Sequence, residues 1–205
     1  LESGMTEEEA KSKVWLVDSK GLVSHARGDT LAEHKLYFAR NDISVAQAPK
    51  VSDLQSVLEL VQPTILIGLS TVGGSFTPSI IEYMGSINDK PIIMPLSNPL
   101  TKAECTFEEA LTYTQGRAIF ASGSPFPPHQ YQGVEYLAGQ GNNMYIFPGL
   151  GLGSILGKCS RVTESMIMAA STALANSVTD QETKIPDTHD LEAWIINQMY
   201  DPFKV

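Results

Sequence analysis

One pattern limits what this chain can fold into: short apolar, often β-branched runs alternate with capped helical stretches. The runs are VWLV (14–17), TILIGL (64–69), PIIMPL (91–96) and AIFA (118–121). Continuous apolar runs of this kind suit strands buried on both faces. The intervening segments carry helix signals. Thr6 with Glu9 forms a capping box, and Glu7, Glu8 and Glu9 suit a helix N-terminus, giving a helix to about Lys13. Ser52 with Gln55 caps SDLQSVLELV, whose apolar positions 54, 57, 58 and 61 share a helical face, and Gln62-Pro63 stops it. Thr77-Pro78 opens the next helix with proline at its first position. Thr106 with Glu109 caps TFEEALTYT. Strands alternating with helices predict βαβ units, hence an α/β fold with a doubly wound parallel sheet.

Two long stretches, 19–50 and 122–147, break this rhythm. Loops of such length in a compact domain usually carry function. Beyond Pro148 the text turns helical. Thr163 is a good N-cap, and Leu191, Ile195 and Met199 fall on one face of a last helix capped by Asp187 or Thr188. No repeat, low-complexity tract or linker marks a second full domain; we divide the chain into 1–180 and a helical tail, 181–205.

Composition removes several functional classes. Acidic residues outnumber basic ones 23 to 14, a net charge of −9, which disfavours nucleic acid as a partner. No apolar run reaches the roughly 18 residues of a membrane span. The opening LESGMTEEEA lacks a targeting pattern, so cytoplasm or mitochondrion is the expected compartment. Cys105 and Cys159 make neither a disulfide framework nor a metal site, and His25, His34, His129 and His189 lack metal-ligand spacing.

The candidate site residues sit where strands end. Asp18 closes the first run; in a doubly wound nucleotide fold an acid there reaches the adenosine ribose, although D-S-K-G is also good turn chemistry. LIGLSTVGGSF (66–76) places small residues after a strand, where backbone can approach a ligand closely. Ser97, Asn98 and Pro99 follow PIIMPL, and an Asn amide suits a carboxylate or carboxamide, or simply a turn. Asn142-Asn143 has the same two readings. Gly149, Gly151 and Gly153 mimic a dinucleotide fingerprint, but Ser154 holds the third-glycine position; close helix packing explains them better.

Five segments in order now carry a resemblance: VWLVDSKGL, LIGLSTVGGSFT, KPIIMPLSNPLTKAECTFEEA, GRAIFASGSPFPP and GQGNNMYIFPGLGLGSIL. Together, over about residues 10 to 180, they resemble the NAD(P)-binding domain of malic enzyme. LEAWIINQMYDP resembles the terminal helix of fungal and bacterial members. The resemblance implies a Rossmann-like sheet and oxidative decarboxylation of malate to pyruvate and CO2. Hydride passes from malate C2 to the nicotinamide, and Mg²⁺ or Mn²⁺ in the complete enzyme assists decarboxylation.

By resemblance Asp18 is the ribose acid, and Leu69, Ser70, Gly73, Gly74, Ser97, Asn98 and Asn142 border the dinucleotide. Asn98, Asn142 and Asn143 stand where the family meets substrate. Members that use NADP tend to carry Ser after the strand acid and Lys seventeen positions beyond it; Ser19 and Lys35 match, which favours NADP over NAD. The family's catalytic tyrosine and lysine, its substrate arginine, its metal carboxylates and its phosphate-binding glycine loop have no matching motif here. The expectation is therefore a sheet lacking its first βα unit, with no catalytic or metal residue in this chain and no activity of the chain alone. Its exposed sheet face or edge should favour aggregation or a partner, and the full-length protein is expected to be a homo-oligomer. The competing reading is a non-catalytic nucleotide-binding or subunit-interaction fragment of the same fold.

Overall fold

The structure is a computed structural model and describes residues 4–27, 31–44 and 51–177. The chain opens with α1 (Glu7–Ser12), closed by the expected capping box. The Thr6 hydroxyl accepts from the Glu9 N–H at 3.2 Å, and the Glu9 carboxylate accepts from the Thr6 N–H at 2.8 Å.

The VWLV run is not a strand of the main sheet. Only Val17 is extended in a ladder, where β1 (Val17–Asp18) pairs antiparallel with β2 (Gly21–Leu22). The turn chemistry of D-S-K-G prevails. The Asp18 carboxylate accepts from the Lys20 N–H at 2.9 Å, and Gly21 adopts φ +93°. A Cβ on Gly21 would lie 2.3 Å from the Val51 carbonyl, so only glycine lets the hairpin sit against the start of the next helix.

After α2 (Glu33–Leu36) comes α3 (Leu54–Val61), capped by Asp53 rather than Ser52. The Asp53 carboxylate accepts from the Ser56 N–H at 2.9 Å. Gln62, at φ 49°, ends the helix ahead of Pro63. Then the expected alternation appears: β3 (Ile65–Gly68), α4 (Pro78–Ile87), β4 (Ile92–Pro95), α5 (Phe107–Tyr113) and β5 (Ile119–Ser122). Thr106 and Glu109 box the start of α5 as expected.

The stretch 122–147 is more ordered than its sequence suggests. It holds a hairpin of β6 (His129–Tyr131) and β7 (Val134–Tyr136), then β8 (Gly139–Gln140). The hairpin turns on Gln132 and Gly133, both at positive φ (51° and 81°). That is the backbone shape usually signalled by Asn-Gly. β8 pairs parallel with β5, so the main sheet runs β3-β4-β5-β8, all parallel. The parallel sheet with its flanking helices is of the Rossmann-like class.

One face of the sheet carries the principal core. Leu66, Ile93 and Phe120 meet Ile80, Ile81 and Met84 of α4 and Phe107 and Leu111 of α5. The Phe107 and Phe120 rings lie 5.0 Å apart. Each such side chain contributes roughly 1.5–3 kcal/mol by leaving water. The opposite face holds Ile65, Ile92, Met94 and Ile119. There Ile67 is 47% exposed, so β3 is not buried on both faces within the described residues.

α6 (Phe147–Leu156) and α7 (Glu164–Asn176) follow, the latter capped by Thr163 as expected. Tight packing at Gly149, Gly151 and Gly153 is not seen: a Cβ on any of them would meet nothing within 4 Å. α6 buries none of its residues, so no neighbouring backbone presses on those glycines. The predicted last helix and the tail lie outside the described residues. No helix among the described residues is long and apolar enough to cross a membrane.

Candidate functional site

In open parallel sheets, ligands bind beyond the carboxyl ends of the strands. Here the loops after β3, β4, β5 and β8 meet at that edge and carry most of the residues singled out from sequence. Gly73 permits the first meeting. A Cβ there would lie 2.5 Å from the Thr101 carbonyl of the β4 loop. The same loops are stitched by the Gly74 N–H to the Ala103 carbonyl at 3.1 Å and the Phe76 N–H to the Glu104 carbonyl at 2.9 Å. Leu69 and Val72 stand 75% and 59% exposed, offering apolar surface at the edge.

Ser70 and Ser97 turn inward. Both hydroxyls donate to Oε1 of Glu104, at 2.8 and 2.6 Å, and the Ser70 N–H joins them at 2.8 Å. Glu104 is wholly buried. Burial pushes its carboxyl up, but the hydrogen bonds from Ser97 and Ser70 outweigh that and hold it below its ordinary value.

The second meeting is at Gly123, where a Cβ would lie 2.3 Å from the Leu96 carbonyl. The Ser124 hydroxyl donates to the Asn98 carboxamide oxygen. The amide NH₂ of Asn98 therefore has its orientation set by the β5 loop. Asn142 is tied to the same turn, its NH₂ donating to the Gly123 carbonyl at 3.4 Å and its oxygen accepting from the Met144 N–H at 2.9 Å. Asn143 opens the 3₁₀ turn that follows. The edge thus gathers Leu69, Ser70, Gly73, Gly74, Ser97, Asn98, Asn142 and Asn143 on three loops, with the β5 loop joining those of Asn98 and Asn142.

Asp18 of the β1–β2 hairpin and Lys35 of α2 form a separate cluster. Lys35 Nζ donates to Asp18 Oδ2 at 2.6 Å, and Ser19 lies in the turn between the strands. Sequence reasoning missed Arg27, whose guanidinium grips both oxygens of Asp18 at 2.7 and 3.0 Å. The Arg27 hydrogen bond, against a smaller effect of burial and aided by Lys35 and the Lys20 N–H, holds the Asp18 carboxyl well below the usual carboxylate range. Counting the Lys20 N–H, four donors occupy its roughly four lone-pair sites.

With this geometry established, similarity to known proteins decides the family. The family model described as malic enzyme, NAD binding domain, matches residues 1–194. The chain belongs to the malic enzyme family. It is 49% identical over 181 residues to an NADP-dependent malic enzyme of Dictyostelium discoideum, covering 88% of this chain and 32% of that protein. An NADP-dependent malic enzyme of Vitis vinifera is 50% identical over 174 residues, covering 85% of this chain and 28% of that protein. NADP-dependent malic enzyme 3 of Arabidopsis thaliana is 48% identical over 180 residues, covering 88% and 30%. The chain therefore spans about 30% of the length of these malic enzymes.

Glu104 has no role in the sequence reading either, and Ser122-Gly123-Ser124-Pro125 is set aside there for want of an obvious base. Glu104 stands inside the quoted KAECTFEEA and Ser124 inside ASGSPFPP. The type of residue gave the only signal: an acid set between Ala103 and Cys105 must either reach water or find donors. Among the described residues no group of three or more His, Cys, Asp and Glu could hold a metal ion.

Proposed function

We propose that this chain is the dinucleotide-binding part of an enzyme that oxidatively decarboxylates malate to pyruvate and CO2, with NADP preferred to NAD. The observation that carries the preference is the Asp18 cluster. One carboxylate there is matched by two cations, Arg27 and Lys35. The Lys35 ammonium is a point charge of the kind that suits a 2′-phosphate. A ribose 2′-hydroxyl, by contrast, needs a lone pair of Asp18 that Lys35 now occupies. Lys35 is the more exposed of the two cations (32% against 10%) and so the one that can turn to a ligand.

The residues also suit the other half of a dinucleotide. The close approaches at Gly73 and Gly123 leave an edge of backbone and small side chains. The oriented NH₂ of Asn98 can donate to a carboxamide or a carboxylate oxygen, and by resemblance Asn143 stands where the family meets substrate. A bound dinucleotide supplies the hydride acceptor; the residues of this chain bind and orient it. No described residue is assigned to the divalent metal or to proton transfer.

Calorimetric titration of the chain with each cofactor tests this reading. We expect tighter binding of NADP than of NAD, and no malate-dependent NADPH production in the presence of Mn²⁺. Equal or tighter binding of NAD overturns the cofactor assignment, and turnover by the chain alone overturns the division of labour. The subunit-interaction reading draws on α6, where Leu152, Ile155 and Leu156 are 59%, 75% and 73% exposed. Such a surface supports assembly with further polypeptide, homo-oligomeric partners included.

A further inference from the structure

Glu104 is the one acidic side chain among the described residues that is completely buried. It lies beneath the end of β3, where a Cβ on Gly68 would be 2.4 Å from its carboxyl carbon. Its partners belong to two different loops. From the β3 loop come the N–H and hydroxyl of Ser70. From the β4 loop comes the hydroxyl of Ser97, with the Ser97 N–H reaching Oε2 at 3.4 Å.

The network then extends outward. Ser97 Oγ accepts from the Thr71 N–H at 2.9 Å, and Ser70 Oγ accepts from the Val72 N–H at 3.1 Å. Thr71 is held at φ 58°, a strained conformation for a non-glycine residue that its surroundings must enforce. One carboxylate thus fixes the path of residues 70–72 and of Ser97, the residue before Asn98, together. A buried charge is costly unless its hydrogen bonds are complete. A simple core position would hold an apolar side chain more cheaply, so the feature asks for a role in placement.

We propose that Glu104 is a positioning residue for the nicotinamide half of the dinucleotide. It acts through Ser70 and Ser97, setting the distance between the β3 loop and Asn98. The inference rests on the proposed function, because it presumes that these loops face the nicotinamide. It assigns nothing to Glu104 at the adenosine end, which the Asp18 cluster serves.

The two ends can be probed separately. The ¹⁵N-labelled chain is titrated with NADP and with adenosine 2′,5′-bisphosphate, which lacks the nicotinamide half. In the wild type NADP should bind more tightly, and NADP alone should shift the Ser70, Thr71 and Ser97 amides. In Glu104→Gln the affinity for NADP should drop about tenfold, the worth of one charge-assisted hydrogen bond, while that for the bisphosphate stays within about twofold. Gly68→Ala should do the same with the carboxylate retained, because the added methyl displaces it. A merely structural role would weaken both ligands alike, and that result overturns the inference, as does no change in either. A wild type that binds NADP no tighter than the bisphosphate also overturns it. If neither variant folds, the wild-type amide shifts decide: perturbation of those three amides by both ligands, or by neither, rejects the assignment. Wild-type chain that binds neither ligand defeats the proposed function itself and the inference with it.

Discussion

Lys35 Nζ lies 2.6 Å from Oδ2 of Asp18, across seventeen residues of sequence, and shares that carboxylate with Arg27. Under the proposed function, the pair makes cofactor choice a competition for one oxygen. With Lys35 in place, Asp18 holds cations; without it, Oδ2 regains a lone pair. Lys35→Ala should therefore weaken NADP binding about tenfold or more, the worth of a lost charge-assisted contact. NAD binding should hold or improve, since its ribose hydroxyl gains an acceptor. Calorimetry with both cofactors checks this, and an unchanged NADP affinity rejects the role of Lys35.

The same cluster predicts an acid limb in stability. The folded Asp18 carboxyl sits well below the value it has in the unfolded chain, chiefly because of Arg27. The unfolded state therefore binds the proton more readily. Stability from Asp18 is complete above the ordinary carboxylate pKa of about 4 and is lost as pH falls from there toward the folded value. Asp18→Asn should cost about 2 kcal/mol near neutral pH, removing the charged acceptor that Arg27 and Lys35 contact. It should also flatten the acid limb. Urea unfolding of both proteins between roughly pH 7 and pH 3 measures this. Parallel curves for wild type and variant would remove Asp18 as the cause; the slope left in the variant includes Glu104, also held low.

How far these features could be read from sequence depended on range. The capping boxes at Thr6 and Thr106 involve residues three apart and were legible, as were the runs that became β3, β4 and β5. The VWLV run misled because an apolar run does not say which neighbour it will pair with, and the local turn at Asp18–Gly21 settled that. The β6–β7 hairpin was hidden because Gln132 occupies a left-handed position that sequence rules assign to Asn or Gly. Among site residues, Asp18 and Asn98 announced themselves by standing at strand ends. Arg27 and Glu104 did not. Arg27 is nine residues from its anion, and Glu104 is 34 residues from Ser70. No local pattern encodes such pairings.

The glycines separate by what surrounds them. Gly73→Ala would drive a Cβ into the Thr101 carbonyl, a backbone atom that cannot swing aside. We expect a loss of about 1–3 kcal/mol, with displacement of the two loops. Gly151→Ala meets nothing within 4 Å and lies in the middle of α6. There the added methyl should stabilise by up to about 1 kcal/mol through helix propensity alone. Thermal unfolding of the two variants should move in opposite directions. Equal losses would mean that α6 is packed against something that presses on its glycines.

The two capping boxes have the same chemistry and different consequences. Thr106 caps α5, which drives Phe107, Ala110 and Leu111 into the main core. Thr6 caps α1, which buries no residue. Removing either hydroxyl leaves helix N–H groups without their acceptor, at a cost of about 1 kcal/mol to that helix. For Thr106→Ala the cost falls on global stability, because α5 cannot loosen without opening the core. For Thr6→Ala it falls on local fraying, since α1 can open while the sheet persists. Urea unfolding should thus show the full loss for Thr106→Ala and little for Thr6→Ala. Hydrogen exchange should show faster exchange within residues 7–12 for Thr6→Ala. A global loss from Thr6→Ala equal to that from Thr106→Ala would show that α1 is coupled to the core despite its exposure.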